Sequence, residues 1–125
     1  LCRSSAASDV YKRQIIMSLN STSTLYHTVF FWLKNPNNKK DRFEFENAIK
    51  KLIRNNHLSI SCHLGTPADS EQRDVVDTSY TYCYIVNFPS LEDQNKYQID
   101  PHHLLFIEEA KHLWEKVKVY DSLSI

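Results

Sequence analysis

The chain has 125 residues, with 15 Lys+Arg balancing 15 Asp+Glu, so the formal charge is zero. That balance argues against nucleic acid or an anionic membrane as a partner, since both call for a basic excess. A single glycine, Gly65, stands where about 7% is usual, which excludes the Gly-rich loops of ATP, GTP and NAD enzymes.

Residues 1–16 are expected to be a non-native leader: Ser4 to Gln14 reads as a junction rather than a folding element and lacks an apolar core for a secretory signal. Residues 17–24, which begin at the single methionine Met17, read as a flexible arm, and the folded domain is expected at 25–122. Setting the leader aside leaves Cys62 and Cys83, expected to be two reduced thiols in a cytoplasmic protein. No run approaches the ~18 apolar residues that span a bilayer.

Leu25 to Lys34 is rich in β-branched and aromatic residues and stops at Asn35-Pro36, the pattern of a strand. His27, Val29, Phe31 and Leu33 share one face; Tyr26, Thr28, Phe30 and Trp32 share the other. Both faces are apolar, so both need covering. Lys39 to Arg54 has a helical apolar stripe of Phe45, Ile49, Leu52 and Ile53. A short strand follows over Leu58 to Leu64, then a polar loop over Thr66 to Ser79. Thr78 to Phe88 alternates as a strand, with Tyr80, Tyr82, Tyr84, Val86 and Phe88 on one face. Leu91 to Tyr97 and His102 to Lys116 read as helices, and Val117 to Tyr120 as a last strand.

The order strand, helix, strand, strand, helix, strand specifies an α+β, ferredoxin-like βαββαβ unit: an antiparallel four-stranded sheet with helices on one face and strands 1 and 3 central. The helices cover one face only. The other, carrying Tyr26, Phe30, Trp32 and Ile85, is left bare and is expected to bury itself against a second copy as a homodimer.

Five segments in order resemble the stress-response A/B barrel family, the dimeric α+β barrel or Dabb domain. They are YHTVFFWLK at 26–34, HLGTP at 63–67, RDVVDTSYTYCYIVNF at 73–88, the spacing of Tyr97, Pro101 and His103, and HLWEKVKVYDS at 112–122. The resemblance implies a dimeric barrel. Most family members have no assigned reaction, and a plant member is a polyketide cyclase that closes a ring by cofactor-free aldol chemistry. By that resemblance Tyr97 and His103 stand at the cyclase's acid/base pair and His27 at a pocket histidine. Two positions depart: Tyr82 stands where the cyclase has a further histidine, and Asp100 where the family commonly has one before the proline.

The residues point the same way. Asp100 suits a helix N-cap and Pro101 the first helical position. His103 then lies in the first turn, facing the sheet, where the positive helix end favours a neutral imidazole able to act as a general base. Tyr97 can polarise a carbonyl and hold an enolate oxygen. The candidate catalytic set is therefore His103, Tyr97 and His27, in a pocket lined by Tyr80, Tyr82, Tyr84, Val29, Phe31 and Phe88. The ligand expected there is small and apolar or aromatic, with no cofactor. No metal is expected, because His102 and His103 are adjacent and lack a carboxylate at ligand spacing. His63 and the Arg73–Asp77 pair read as structural. Two other readings stay open: a non-catalytic dimeric stress or scaffold protein in which these residues only pack, and a haem-binding barrel.

Overall fold

The computed structural model describes residues 23–125. The expected leader at 1–16 and most of the expected arm at 17–24 lie outside the described residues. Among the described residues no helix is long and apolar enough to cross a membrane.

The elements are β1 (Leu25–Leu33), α1 (Lys39–Asn55), β2 (Ser61–Gly65), β3 (Tyr82–Phe88), α2 (Leu91–Gln98), α3 (Pro101–Ala110), a 3-10 turn (Lys111–Leu113) and β4 (Trp114–Leu123). The strands form one antiparallel sheet in the order β2-β3-β1-β4, the ferredoxin-like arrangement with β1 and β3 central. Burial alternates along β1, with Leu25, His27, Val29, Phe31 and Leu33 buried beneath the helices. Phe31 and Phe45 pack with ring centroids 5.0 Å apart, and Phe45 stacks on Tyr82 at 4.5 Å. These aromatic contacts weld α1 to the two central strands.

Each helix start is chemically marked. Asn38 caps α1 by accepting from the Asp41 amide, and Ser90 caps α2 by accepting from the Asp93 amide. Asp100 caps α3 by accepting from the His102 amide at 2.9 Å, with Pro101 in the first turn. All three place a side-chain oxygen on an otherwise orphaned helical N–H.

Three sequence expectations need correction. Strand β3 begins at Tyr82, not Thr78, because the Thr81 amide donates to Phe31 O and the Thr81 hydroxyl accepts from the Leu33 amide, which ends the regular register there. The last helix stops at Ala110, and Trp114 to Leu123 is all strand. Lys34 N–H donates to Leu113 O, and β4 pairs along the whole of β1, so ladder bonding and the alternating Val117 and Val119 override the helical pattern. Cys62 is disulfide-bonded, so the two-thiol expectation fails there; Cys83 is free and buried.

The helices do not cover β4. On its helix-facing side Val117 and Val119 remain 37% and 46% exposed, and this uncovered strip opens a cleft. The opposite sheet face carries Tyr26, Phe30, Trp32 and Tyr120, with Phe30 packed edge-on to Tyr80 and Tyr120. Lys116 lies 4.4 Å over the Trp32 ring, its charged head over an aromatic face.

Candidate functional site

A cleft of about 390 Å³ lies between β1 and β4 on one side and α2 and α3 on the other. Its size is that of a small-molecule site. His27, Tyr97, Gln98, His103 and Asp121 gather at its polar end, while Phe31, Phe106, Trp114, Val117 and Val119 make the rest apolar. Among the described residues no lysine or arginine lines it. A larger groove of about 480 Å³ runs along α1, open to solvent and lined by Lys40, Lys51 and Arg54 with Glu44 and Glu109.

Strand pairing places the first residues of the site. His27 is opposite Asp121 in the β1–β4 register, and His27 Nδ1 lies 2.5 Å from Asp121 Oδ1. His27 is only 5% exposed, so that carboxylate fixes its ring orientation and its Nδ1–H tautomer.

The break between α2 and α3 places the others. The Tyr97 ring lies 4.5 Å from the His103 ring and 6.0 Å from that of His27, so the three rings form one group. His103 Nδ1 is 3.2 Å from the Gln98 carbonyl. A carbonyl only accepts, so Nδ1 carries the hydrogen and Nε2 keeps its lone pair. Burial pushes the His103 imidazole below its ordinary value, and the neighbouring His27 adds to the effect; the Gln98 bond and Asp100 oppose it. Burial is thus the main source of the neutrality expected from the helix end. Burial also raises the Tyr97 hydroxyl far above the usual phenol range, with Tyr84 adding to it, so Tyr97 remains a proton donor.

The pocket aromatics divide. Val29, Phe31 and Tyr84 line the cleft. Phe88 is fully buried behind Tyr97, with ring centroids 5.0 Å apart, and does not line it. Tyr82 lies on the same sheet face but is screened from the cleft by Phe45; its hydroxyl donates to Glu46 at 2.5 Å. Tyr80 falls on the opposite face, against Phe30, since the chain leaves strand register before Tyr82. Asp121 is not among the sequence-predicted site residues, because the apolar pattern of the last strand ends at Tyr120 while the strand itself runs on to Leu123. The signal was available: an antiparallel β4 continued by one residue sets an acid beside His27.

The sequence signature of the stress responsive A/B barrel domain matches residues 25–124. The chain belongs to that family. No curated protein matches it closely enough to count as a relative. Among solved structures, the stress responsive A/B barrel fold recurs in a hydroxynitrile lyase from Passiflora edulis, 19% identical over 83% of this chain and 95% of that one, with a TM-score of 0.66. A Dabb family protein with a ferredoxin-like fold from Mesorhizobium loti is 20% identical over 82% and 98%, at 0.65. A dimeric ferredoxin-like protein from Thermobifida fusca is 11% identical over 82% and 92%, also at 0.65. At these identities the likeness establishes the shared fold.

Proposed function

We propose that the cleft binds a small apolar or aromatic carbonyl compound and performs cofactor-free acid/base chemistry on it. The observation that carries this reading is the convergence of His27, Asp121, Tyr97 and His103 at one end of an otherwise apolar cleft, where burial lowers the His103 imidazole and raises the Tyr97 hydroxyl. Pairs of titratable groups whose surroundings separate their proton affinities are what acid/base catalysis requires.

In the proposed reaction, His103 Nε2 removes a proton from the carbon next to the carbonyl. The C–H electron pair forms the enolate double bond, and the carbonyl π pair moves onto oxygen. The Tyr97 hydroxyl donates to that oxygen as its charge grows. The His27–Asp121 pair stands beside them to supply or accept a second proton. The apolar walls on the buried side of the cleft, Val29, Phe31 and Phe106, lower the local dielectric and strengthen these interactions.

Homodimer formation belongs to the same reading. The apolar face of Tyr26, Phe30 and Trp32, with Ile85 from β3, leaves Tyr26 exposed and the other three half-buried, a surface of the kind that marks an interface, and structural neighbours are dimeric.

The direct test is solvent exchange. Acetophenone and 1,3-diketones incubated with the protein in D₂O are followed by proton NMR, with an aromatic hydroxynitrile assayed alongside because one structural neighbour is a hydroxynitrile lyase. The proposal expects α-deuteration above buffer rates that His103→Ala and Tyr97→Phe abolish. Exchange at buffer rates throughout, or exchange untouched by both variants, refutes it.

A further inference from the structure

The outer face of the sheet carries a second cavity, of about 300 Å³, lined by Phe30, Trp32, Tyr80 and Tyr120 with Lys116, Lys118 and Asp77. Strand pairing builds it. Lys116 lies opposite Trp32, and Lys118 opposite Phe30, in the β1–β4 register. Residues two apart on a strand share a face, so both ammonium groups and the Tyr120 ring project to the same side. Tyr80 packs edge-on to Phe30 at 4.9 Å, and Phe30 meets Tyr120 at 6.1 Å. The Trp32 Nε1–H donates to the Ser79 hydroxyl at 3.0 Å, which holds the indole in place as one wall.

Two cations share this aromatic cavity. The Lys116 ammonium lies 4.4 Å from the Trp32 ring centroid, and that of Lys118 5.6 Å from the Tyr120 centroid. Among the described residues the ion-paired lysines are Lys50, Lys51, Lys96 and Lys111, all in the helices or the turn after them. Lys116 and Lys118 rest on rings instead, and at exposed positions a ring holds a cation only weakly. Asp77 is the one carboxylate among the described residues that line the cavity, and its Oδ1 accepts from the Ser79 amide at 2.8 Å. Two ammonium groups against one carboxylate leave an excess of positive charge. A second copy closed over this face would bury that excess without a counter-charge, which is costly, whereas an anion in the cavity offsets it.

We infer that this cavity binds a flat aromatic anion, such as an aryl carboxylate, its ring among Phe30, Tyr80 and Tyr120 and its charged group at Lys116 and Lys118. Ring contacts hold the aryl body, and charge-assisted hydrogen bonds hold the carboxylate. The volume is at the small end for a ligand site, which suits one or two fused rings. The site is separate from the cleft, because β1 turns His27, Val29 and Phe31 toward the helices and Phe30 and Trp32 away from them. It therefore stands or falls independently of the acid/base reading.

The test titrates 2-naphthoate, and its neutral analogue 2-naphthalenemethanol, into the ¹⁵N-labelled protein while the indole N–H signals are followed. The chain has two tryptophans, so Trp32→Phe identifies the Trp32 signal and leaves the other to Trp114 in the cleft. 2-Naphthoate is expected to shift the Trp32 signal saturably, and the alcohol to do so only at higher concentration. Combining Lys116→Gln with Lys118→Gln is expected to weaken 2-naphthoate about tenfold, the loss of two partly exposed charge contacts. A Trp32 signal that 2-naphthoate leaves unmoved overturns the proposal, whether a second copy fills the cavity or the probe goes to Trp114 in the cleft. Equal affinity of wild type for the acid and the alcohol also overturns it, and that comparison stands even if the double variant misfolds. Equal binding of the acid by wild type and a folded double variant overturns it as well.

Discussion

Replacing Asp121 by asparagine removes the charge facing His27 while keeping an oxygen that can accept from Nδ1–H. The native contact is 2.5 Å, with His27 almost fully buried and the Asp121 side chain 45% exposed. A hydrogen bond to a charged group contributes about 1.5–3 kcal/mol, but half-exposure lets solvent screen the pair and brings the figure to about 1 kcal/mol. For a domain of this size, that lowers the melting temperature by about 4–8 °C. The functional effect is larger, because a correctly held acid or base accounts for about 10²–10⁴-fold in rate. Urea unfolding at pH 7.5 and the deuterium-exchange rate are the two assays. Loss of roughly 1 kcal/mol with at least about a tenfold slower exchange is expected. Stability within about 0.3 kcal/mol of wild type, together with an unchanged rate, refutes a working His27–Asp121 pair. Lost stability with an unchanged rate reduces Asp121 to a structural role.

Burial lowers the His103 imidazole in the folded state, so the unfolded chain binds its proton more readily below the ordinary value of 6.5. Its contribution to stability is full above that value and is lost as pH falls toward the folded-state value, so the difference between wild type and His103→Gln should shrink on acidification from pH 7; a difference independent of pH counts against a buried neutral ring. Phe45→Ala deletes a fully buried ring shared by Phe31, Tyr82 and Phe106 and is expected to cost about 3–5 kcal/mol by urea unfolding, whereas a loss below about 1 kcal/mol means the packing is loose. Phe30→Asp puts a carboxylate in the middle of the outer aromatic face; sedimentation is expected to show a dimer for wild type and a monomer for the variant, and a monomeric wild type rules out pairing through that face.

Much of this was legible from patterning. The parity of Leu25 to Leu33 separates a helix-covered, fully buried face from one where Tyr26 is exposed and Thr28, Phe30 and Trp32 are half-buried, and the alternating burial of β1 follows it. Asp100 and Pro101 announce the start of α3, which is what brings Tyr97 and His103 together. The failures have a common cause: residues whose placement depends on a neighbouring strand rather than on their own period. Trp114 looks helical in sequence because it continues the spacing of Phe106 and Ala110, yet β1 supplies a ladder that captures it. Tyr80 keeps the alternation of Tyr82 and Tyr84, but Thr81 bonds to β1 and ends the strand between them. Tyr82 is on the expected face and still misses the cleft, since only packing reveals that Phe45 stands in the way.

The most direct test of a buried, neutral base in the cleft is the imidazole ¹⁵N spectrum of His103 at pH 7. The account expects an uncharged ring with its hydrogen on Nδ1, bonded to the Gln98 carbonyl, and a bare Nε2. An imidazolium there, or the hydrogen resting on Nε2, would contradict it.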